Sequence, residues 1–243
     1  MNLVNNNLEK AIHIIEIPTT LNPNTISDLH QQWETINLDV VRFILLKSRA
    51  NNLFCRGMDI GWIAKNDDNS FSEAMRLFVS FLERLHNCPY ISISMIGGSV
   101  EGGGLGIVAA SDLVLATEHS SFQLTEGLFG LVPGIILSSL LTRVSPQIIK
   151  KMVFSAKTYS ASEALNIGLV DEVTAVEDLE NCLYSWLKQF NSCQKQSVID
   201  LKSLLGKNQT LLTNRGMLLL QERLRQTEIK ERFKNLAYYF EME

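Results

Sequence analysis

The sequence predicts an α/β fold in which a core of alternating strands and helices is followed by a region of helices alone. Two observations support this prediction. Short apolar runs of strand length alternate with amphipathic stretches up to about residue 175, and from about residue 177 onward the apolar spacing is helical. The length of 243 residues suits a single hydrophobic core. We therefore divide the chain into a core, residues 1–175, and a C-terminal helical region, residues 176–243.

The elements follow from the apolar spacing and from the turn residues that flank it. Residues 40–47 form a continuous apolar run, which predicts a strand buried on both faces. Within residues 72–86, Met75, Phe78 and Leu82 share one helical face. The other predicted elements are a strand at 11–17, a helix capped by Thr25 or Ser27 and running to about residue 36, an irregular segment at 48–57, strands at 90–96 and 113–116 on either side of a short helix, and helices at 133–143, 146–154 and 161–166.

Composition and charge argue against several classes of function. The chain has 22 basic and 26 acidic residues, a net charge of −4 and no basic cluster, so we expect no nucleic-acid partner. No apolar stretch reaches the roughly 18–20 residues of a membrane span. The first residues lack the pattern of a signal peptide, so we expect a cytoplasmic protein that is not bound to a membrane. The four cysteines and four histidines are scattered, which predicts no metal site.

Five glycines stand close together between a predicted strand and a short helix, three of them at residues 102–104. A phosphate-binding P-loop would need a Lys and a Ser or Thr after them, and neither is present. A dinucleotide-binding pattern fits residues 104–109, but the helix there is too short for a βαβ crossover. Tight turns explain only some of the glycines. The remaining use is to present backbone N–H groups at a helix N-terminus to a developing negative charge.

This glycine segment resembles the signature segment of the enoyl-CoA hydratase/isomerase (crotonase) superfamily. The resemblance extends through further motifs in the family's order and covers nearly the whole chain. The matching segments are residues 53–60, with the pattern F-x-x-G-x-D, residues 94–116, 118–122, 126–134 and 141–143, and residues 161–173, with the pattern A-x-E-A-x-x-x-G-L-V. It implies a crotonase-like ββα spiral core and no cofactor.

The resemblance also implies roles for individual residues. It assigns the two backbone N–H donors of the family's oxyanion hole, which polarise a thioester carbonyl, to Arg56 and Gly103. Hydratases of the family use two glutamates; the first position falls on Gly106, so that carboxylate is absent, and the second falls on Glu126. Apolar residues follow Glu126 and predict a raised pKa, which suits a group that must take and return a proton.

One carboxylate is enough for a 1,3-proton shift or for the elimination of water, whereas the addition of water benefits from two. An isomerase, a dehydratase and a decarboxylase all stay open, although decarboxylases of the family usually lack the glutamate that Glu126 supplies. The finer resemblance is to the dehydratases of polyketide β-branching cassettes, which convert a 3-hydroxy-3-methylglutaryl group on an acyl carrier protein to 3-methylglutaconyl. The alternatives are an enoyl-CoA hydratase or Δ3,Δ2-enoyl-CoA isomerase acting on CoA thioesters, and a non-catalytic protein of this fold that binds an acyl carrier.

The second carboxylate of a 3-hydroxy-3-methylglutaryl substrate predicts a cation near the acyl pocket. The candidates are Lys65, Arg76, Arg84, Arg143 and Arg56. Asp59, within the first loop of the family pattern, and Trp62, close behind that loop, are further candidates for substrate binding.

The resemblance implies a homotrimer or a dimer of trimers, in which C-terminal helices pack on neighbouring subunits. Apolar residues on the last helices are compatible with such contacts. They are Leu218, Leu219, Leu224, Phe233, Leu236, Tyr239 and Phe240.

Overall fold

A computed structural model of the chain describes residues 8–37, 39–205 and 209–240. Its strands are β1 (Ile12–Ile17), β2 (Phe43–Ser48), β3 (Leu53–Cys55), β4 (Ile91–Ile96), β5 (Ser99–Glu101), β6 (Leu113–Thr117), β7 (Ser121–Gln123), β8 (Tyr159–Ser160) and β9 (Glu172–Thr174). Its main helices are α1 (Pro23–Glu34), α2 (Ile60–Lys65), α3 (Asp68–Asn87), α4 (Gly103–Ala110), α5 (Leu137–Arg143), α6 (Pro146–Ser155), α7 (Ala161–Asn166), α8 (Leu179–Phe190), α9 (Lys195–Leu205), α10 (Gln209–Leu224) and α11 (Thr227–Phe240). Short 3₁₀ helices lie at Glu126–Phe129 and Val176–Asp178.

The strands form two sheets through which the chain winds as a spiral. The larger sheet has the order β1-β2-β4-β6-β9 and is parallel throughout. The smaller sheet has the order β3-β5-β7-β8, in which only β8 is antiparallel. Each of the pairs β2–β3, β4–β5 and β6–β7 has its first strand in the larger sheet and its second in the smaller one, with helices after the pair. This ββα repeat confirms the predicted α/β spiral.

Strand β2 shows why its sequence is a continuous apolar run. Its first four residues are all buried, as predicted, because hydrophobic cores lie on both faces of the larger sheet. Ile44 and Leu46 enter the main core, whereas Phe43 and Leu45 enter a second core that also contains side chains of α8. Alternating side chains of one strand therefore serve two cores, as the period of two residues requires.

The predicted apolar face of α3 is also confirmed. Met75, Phe78 and Leu82 are buried in the main core. The helix begins at Asp68 rather than at residue 72, because the side chain of Asp67 accepts the N–H of Ser70 at 2.8 Å and caps the first turn.

Three local predictions are wrong. Asn22, rather than Thr25 or Ser27, caps α1, because Pro23 needs no hydrogen-bond acceptor in the first turn and lets the helix begin earlier. The segment predicted to be irregular at 48–57 contains β3, which pairs with β5. The helix predicted at 133–143 begins only at Leu137.

The C-terminal helices pack on the core of their own chain. Leu220 and Leu224 of α10, and Ile229 and Phe233 of α11, belong to the main hydrophobic core. Helices α10 and α11 therefore share the main hydrophobic core with the spiral. The division at residue 175 marks a change of secondary structure and does not separate one hydrophobic core from another.

A close backbone contact joins α10 to the loop before α5. A Cβ added to Gly216 would lie 1.9 Å from the carbonyl oxygen of Gly134, so only glycine fits on this side of the contact. Beside it, the hydroxyl groups of Ser138 and Thr213 form a buried hydrogen bond of 2.7 Å. These contacts hold the C-terminal helices against the loop that follows Glu126.

The predicted subunit contacts are only partly available for a neighbouring chain. Leu224 and Phe233 are buried within their own chain, whereas Leu218 and Leu219 are exposed. The side chains of Leu236, Tyr239 and Phe240 lie outside the described residues. Assembly into a trimer or a dimer of trimers stays a prediction.

Candidate active site

A cavity of about 100 Å³ lies where the loop after β3, the glycine loop, the 3₁₀ helix after β7 and the C-terminal helices meet. Its polar side chains are those of Glu126, Thr125 and Arg56. Glycine backbone and apolar side chains form the rest of its lining, and these side chains belong to Met58, Ile60, Ile63, Phe71, Met75, Phe78, Phe129, Leu131, Val132, Pro133, Ile135, Ile136, Leu220 and Phe233.

Glu126 begins the 3₁₀ helix that follows β7. Its carboxylate oxygen Oε2 is buried and has no hydrogen-bond partner among the described residues. Desolvation disfavours the charged carboxylate and raises the pKa of Glu126 to about 7, while backbone N–H groups of Glu126 and Thr125 lower it only in part. The raised pKa predicted from the apolar neighbours is therefore confirmed, and this carboxyl group can gain or lose a proton near neutral pH.

The backbone N–H of Gly103 is available at the same cavity. Gly103 is the first residue of α4, and N–H groups in the first turn of a helix have no partner within that helix. It lines the cavity, and its N–H makes no hydrogen bond to any residue that the structure describes. The helix dipole adds a partial positive charge at this end of α4.

The other predicted donor, the N–H of Arg56, is wrong. This N–H donates to the carbonyl oxygen of Thr19 at 2.8 Å and is therefore not free to meet a substrate. The side chain of Arg56 is exposed where it borders the cavity, and it forms no ion pair or hydrogen bond with a described residue.

The N–H of Met58, unlike that of Arg56, makes no hydrogen bond to a residue that the structure describes. Leu21 forms a parallel bridge with Met58, in which Leu21 N–H donates to Gly57 O at 2.7 Å and Asp59 N–H donates to Leu21 O at 2.9 Å. The N–H of Met58 therefore points away from Leu21, and Met58 lines the cavity. We did not predict this donor, although the position directly after the glycine of F-x-x-G-x-D was the signal for it.

Gly57 allows the two loops to approach each other. Its φ is +82°, a conformation that L side chains rarely adopt. A Cβ at this position would lie 2.4 Å from the backbone nitrogen of Gly103 and 3.2 Å from the carbonyl oxygen of Glu101. Glycine at 57 thus leaves the N–H of Gly103 unobstructed.

Ile136 fills the space beside Gly106. A Cβ at Gly106 would lie 2.2 Å from Cγ2 of Ile136, which also lines the cavity. A glutamate at 106 would therefore require Ile136 to move. The sequence analysis identified the absence of this first glutamate but missed the apolar side chain that occupies its place, because 30 residues separate the two positions.

Four predicted substrate-binding residues are not among the described residues that line the cavity. Asp59 caps α2, where its side chain accepts the N–H of Trp62 at 2.9 Å. Trp62 packs against the main core. Lys65 ends α2, and Arg76 lies on the exposed side of α3. The structure does not bring these four side chains together with Glu126.

Two other candidate cations form ion pairs within the fold. Arg84 forms an ion pair of 2.7 Å with Glu34. Arg143 is partly buried, pairs with Asp171 at 3.0 Å and donates to the carbonyl oxygen of Asp112 at 2.8 Å. Of the cations predicted to lie near the acyl pocket, only Arg56 borders it.

No group of three or more His, Cys, Asp or Glu residues in the described part of the chain is arranged to hold a metal ion. Within residues 8–37, 39–205 and 209–240, no helix is both long enough and apolar enough to cross a membrane.

The sequence matches the family model described as enoyl-CoA hydratase/isomerase over residues 12–242. It is 32% identical over 172 residues to the bacillaene synthase dehydratase PksH of Bacillus subtilis (strain 168), which covers 70% of this chain and 66% of that protein. It is 31% identical over 227 residues to the (E)-benzylidenesuccinyl-CoA hydratase of Thauera aromatica, covering 90% and 88% of the two chains. With the methylmalonyl-CoA decarboxylase of Escherichia coli (strain K12), identity is 30% over 160 residues, covering 64% and 60%.

The matches to PksH and to the decarboxylase thus span slightly less than two thirds of those relatives. Among solved structures, a polyketide biosynthesis enoyl-CoA hydratase from Bacillus subtilis superimposes with a TM-score of 0.83 at 22% identity, covering 93% of this chain and 94% of the other. An enoyl-CoA hydratase from Bacillus halodurans gives 0.82 at 20% identity, covering 92% and 96%. The fold agrees with these structures and the family match spans nearly every residue, so the chain belongs to the enoyl-CoA hydratase/isomerase (crotonase) family.

Proposed function

We propose that this protein is a dehydratase that removes water from an acyl group held as a thioester. Its proposed substrate is 3-hydroxy-3-methylglutaryl on an acyl carrier protein, and its product is 3-methylglutaconyl on the same carrier. One observation carries the proposal. A single buried carboxyl group, that of Glu126, shares a cavity with the free N–H groups of Met58 and Gly103, while Ile136 fills the place of a second carboxyl group.

In the proposed reaction, the N–H groups of Met58 and Gly103 bind the thioester carbonyl oxygen. Ionised Glu126 takes a proton from the carbon next to the carbonyl, and the two N–H groups stabilise the resulting enolate. The enolate then re-forms the carbonyl as the bond between carbon 3 and its hydroxyl oxygen breaks. Glu126 returns its proton to the departing hydroxide, which leaves as water. The unsaturated thioester remains, and Glu126 is ionised again.

The names of the relatives support a substrate with a second carboxylate. Methylmalonyl and benzylidenesuccinyl groups each carry a carboxylate besides the thioester. PksH is named as a dehydratase of bacillaene synthase, which supports the elimination of water rather than its addition. An acyl carrier protein is the partner that we propose, because the sequence resembles the dehydratases of polyketide β-branching cassettes.

Other activities fit the site less well. A hydratase of simple enoyl thioesters benefits from a second acid or base, and Ile136 occupies that position. A decarboxylase needs no proton-abstracting carboxylate, whereas Glu126 is present. A non-catalytic carrier-binding protein would have no use for the carboxyl group of Glu126, whose buried oxygen Oε2 has no hydrogen-bond partner among the described residues and is therefore costly to the fold. An isomerase needs only one carboxylate, so experiment must separate it from a dehydratase.

The test is to offer 3-hydroxy-3-methylglutaryl groups on carrier protein and on CoA, and to follow the loss of water by mass spectrometry. We expect kcat/KM for dehydration on the carrier protein to exceed that for hydration of crotonyl-CoA by at least about a hundredfold, the low end of what a positioned acid or base contributes. A preference for crotonyl-CoA would make the protein a general hydratase. Migration of a double bond without loss of water would make it an isomerase, and a folded protein inactive on all of these thioesters would be non-catalytic.

The pKa of Glu126 predicts the pH dependence of this activity. The ionised form removes the proton, so kcat/KM should rise with pH and level off above about 7. Below that pH it should fall about tenfold per pH unit, because only the ionised fraction reacts. The measurement is kcat/KM across this range under conditions where the protein stays folded. A profile that is flat through neutral pH would contradict the assignment of Glu126 as the base.

A further inference from the structure

A second cavity, of about 420 Å³, adjoins the first. The two share one wall, made by Ile63 of α2, Phe71 of α3 and Phe233 of α11. Phe233 is held in this wall by stacking on Phe129, with ring centres 5.8 Å apart. A molecule that occupied both cavities would therefore pass through the position of these three side chains.

The second cavity is lined by more charged side chains than the first. Lys230 is paired with Asp68 at 2.8 Å, and Asp67 accepts the N–H of Ser70 as the cap of α3. Arg225 and Lys234 line the same cavity and form no ion pair or hydrogen bond between their side chains and a residue that the structure describes. The second cavity thus offers two cationic side chains that have no partner in the described part of the chain.

The first cavity is a poor host for the distal carboxylate of a dicarboxylic acyl group. Burial of an ionised carboxylate among apolar side chains is costly unless a cation or several donors pair with it. Arg56 borders this cavity beside the Met58 N–H, which places it at the thioester end of a bound substrate. At about 100 Å³ the first cavity is also below the roughly 300–1,000 Å³ usual for small-molecule sites.

We propose that the second cavity binds the carboxylate at the far end of the acyl chain, through Arg225 and Lys234. Phe233 then separates an apolar compartment for the reacting carbons from a charged compartment for the carboxylate, and its ring must shift as the acyl chain passes. This subsite would recognise acyl thioesters that end in a carboxylate and discriminate against neutral chains of the same length. The inference rests on the proposed function, since it names how that substrate is selected.

Binding can be tested without turnover, using glutaryl-phosphopantetheine thioester and its methyl ester. The glutaryl group has no 3-hydroxyl and cannot lose water, and the ester removes only the charge. By titration calorimetry, we expect the wild-type protein to bind the acid at least about tenfold more tightly than the ester, because a hydrogen bond to a charged group is stronger than one to a neutral group. Changing Arg225→Met and Lys234→Met together should remove this preference and leave the affinity for the ester unchanged.

Arg232→Met is the matched control. Arg232 is on the same helix as Lys234, pairs with Glu228 at 3.1 Å and is not among the described residues that line either cavity. This variant should keep the wild-type preference for the acid. Both altered residues of the test variant are exposed, so we expect it to fold, which circular dichroism checks.

The outcomes separate this inference from the proposed function. Equal affinity of the wild-type protein for acid and ester would overturn the subsite, whatever the protein does to 3-hydroxy-3-methylglutaryl groups. Loss of the preference in Arg56→Met, with its retention in the double variant, would overturn it in favour of Arg56. A preference for the acid that depends on Arg225 and Lys234 would support the subsite even if no dehydration is detected. The absence of dehydration would count against the proposed function and not against the subsite.

Discussion

Replacing Glu126 by glutamine should lower kcat for dehydration by roughly a hundredfold to ten-thousandfold, the range that a positioned acid or base contributes. Glutamine has nearly the shape of glutamate and should fill the same part of the cavity, but it can neither remove the proton next to the carbonyl nor return one to the departing hydroxide. KM should change little, because the N–H groups of Met58 and Gly103 are unaltered. Steady-state dehydration of the carrier-bound substrate measures both constants.

The same substitution should stabilise the fold above neutral pH. The pKa of Glu126 is about 7 in the folded protein and 4.5 in an exposed glutamate. A carboxyl group whose pKa is higher in the folded state contributes stability that is fully present below the unfolded-state pKa and is lost as pH rises through the folded-state pKa. The window for Glu126 is therefore pH 4.5 to about 7. Glutamine does not ionise, so above this window the free energy of unfolding of Glu126→Gln should be larger than that of the wild type by roughly 3 kcal/mol. Urea unfolding below and above the window measures the difference.

Glu118→Gln is the matched control for both measurements. Glu118 lies on the connection between β6 and β7, one strand before Glu126, and its side chain is 57% exposed. Its replacement should change neither kcat nor the pH dependence of unfolding. A near-normal kcat in Glu126→Gln would exclude the single-carboxylate mechanism. A normal pH dependence of unfolding in that variant would show that Glu126 is not desolvated in solution.

The resemblance to the family assigned both Glu126 and Gly103 from the sequence. The apolar residues after Glu126 and the cluster of glycines at the start of a helix supported these two assignments. The other donor was placed on Arg56 instead of Met58. Any side chain leaves a backbone N–H in place, so the residue types at 56 and 58 do not show which of the two is the donor. Ile136 was missed because its contact with Gly106 depends on how α4 and α5 pack, which local spacing does not contain.

The fold was predictable to the same extent and for similar reasons. Strands β1, β2, β4 and β6 of the larger sheet have five or six residues, and apolar runs predicted β4 to within one residue and β2 with a start three residues too early. Strands β3 and β5 have three residues each and lie beside turns and glycines, so no periodicity marks them. The position of α10 and α11 over the active-site loop was also hidden, because the contact of Gly134 with Gly216 joins residues that are far apart in the chain.

Replacing Gly57 by alanine should lower kcat by roughly 10²–10³, the loss typical of one missing oxyanion donor. The new Cβ would lie 2.4 Å from the nitrogen of Gly103, which is too close without a shift of the loop. The loop would either move the N–H of Gly103 or leave a methyl group in front of it. Gly61→Ala is the matched control, because a Cβ there meets only Asp59 Oδ1, at 3.4 Å. It should keep wild-type kcat.

Gly103→Ala separates obstruction of the N–H from a general disturbance of the loops. A Cβ at Gly103 would meet Gly57 Cα at 3.4 Å and Leu21 Cδ1 at 3.5 Å, which are ordinary contact distances. The added methyl group would point to these neighbours, so the N–H of residue 103 should stay free. We therefore expect kcat to fall much less in Gly103→Ala than in Gly57→Ala. The unfolding midpoint of each variant shows whether strain at the positive φ of Gly57 has also destabilised the fold.

In a crystal with a bound acyl thioester, the carbonyl oxygen should lie about 2.7–3.1 Å from the nitrogens of Met58 and Gly103. An oxygen that instead contacts the side chain of Arg56, or equal losses of kcat in the two variants, would refute this pair of donors.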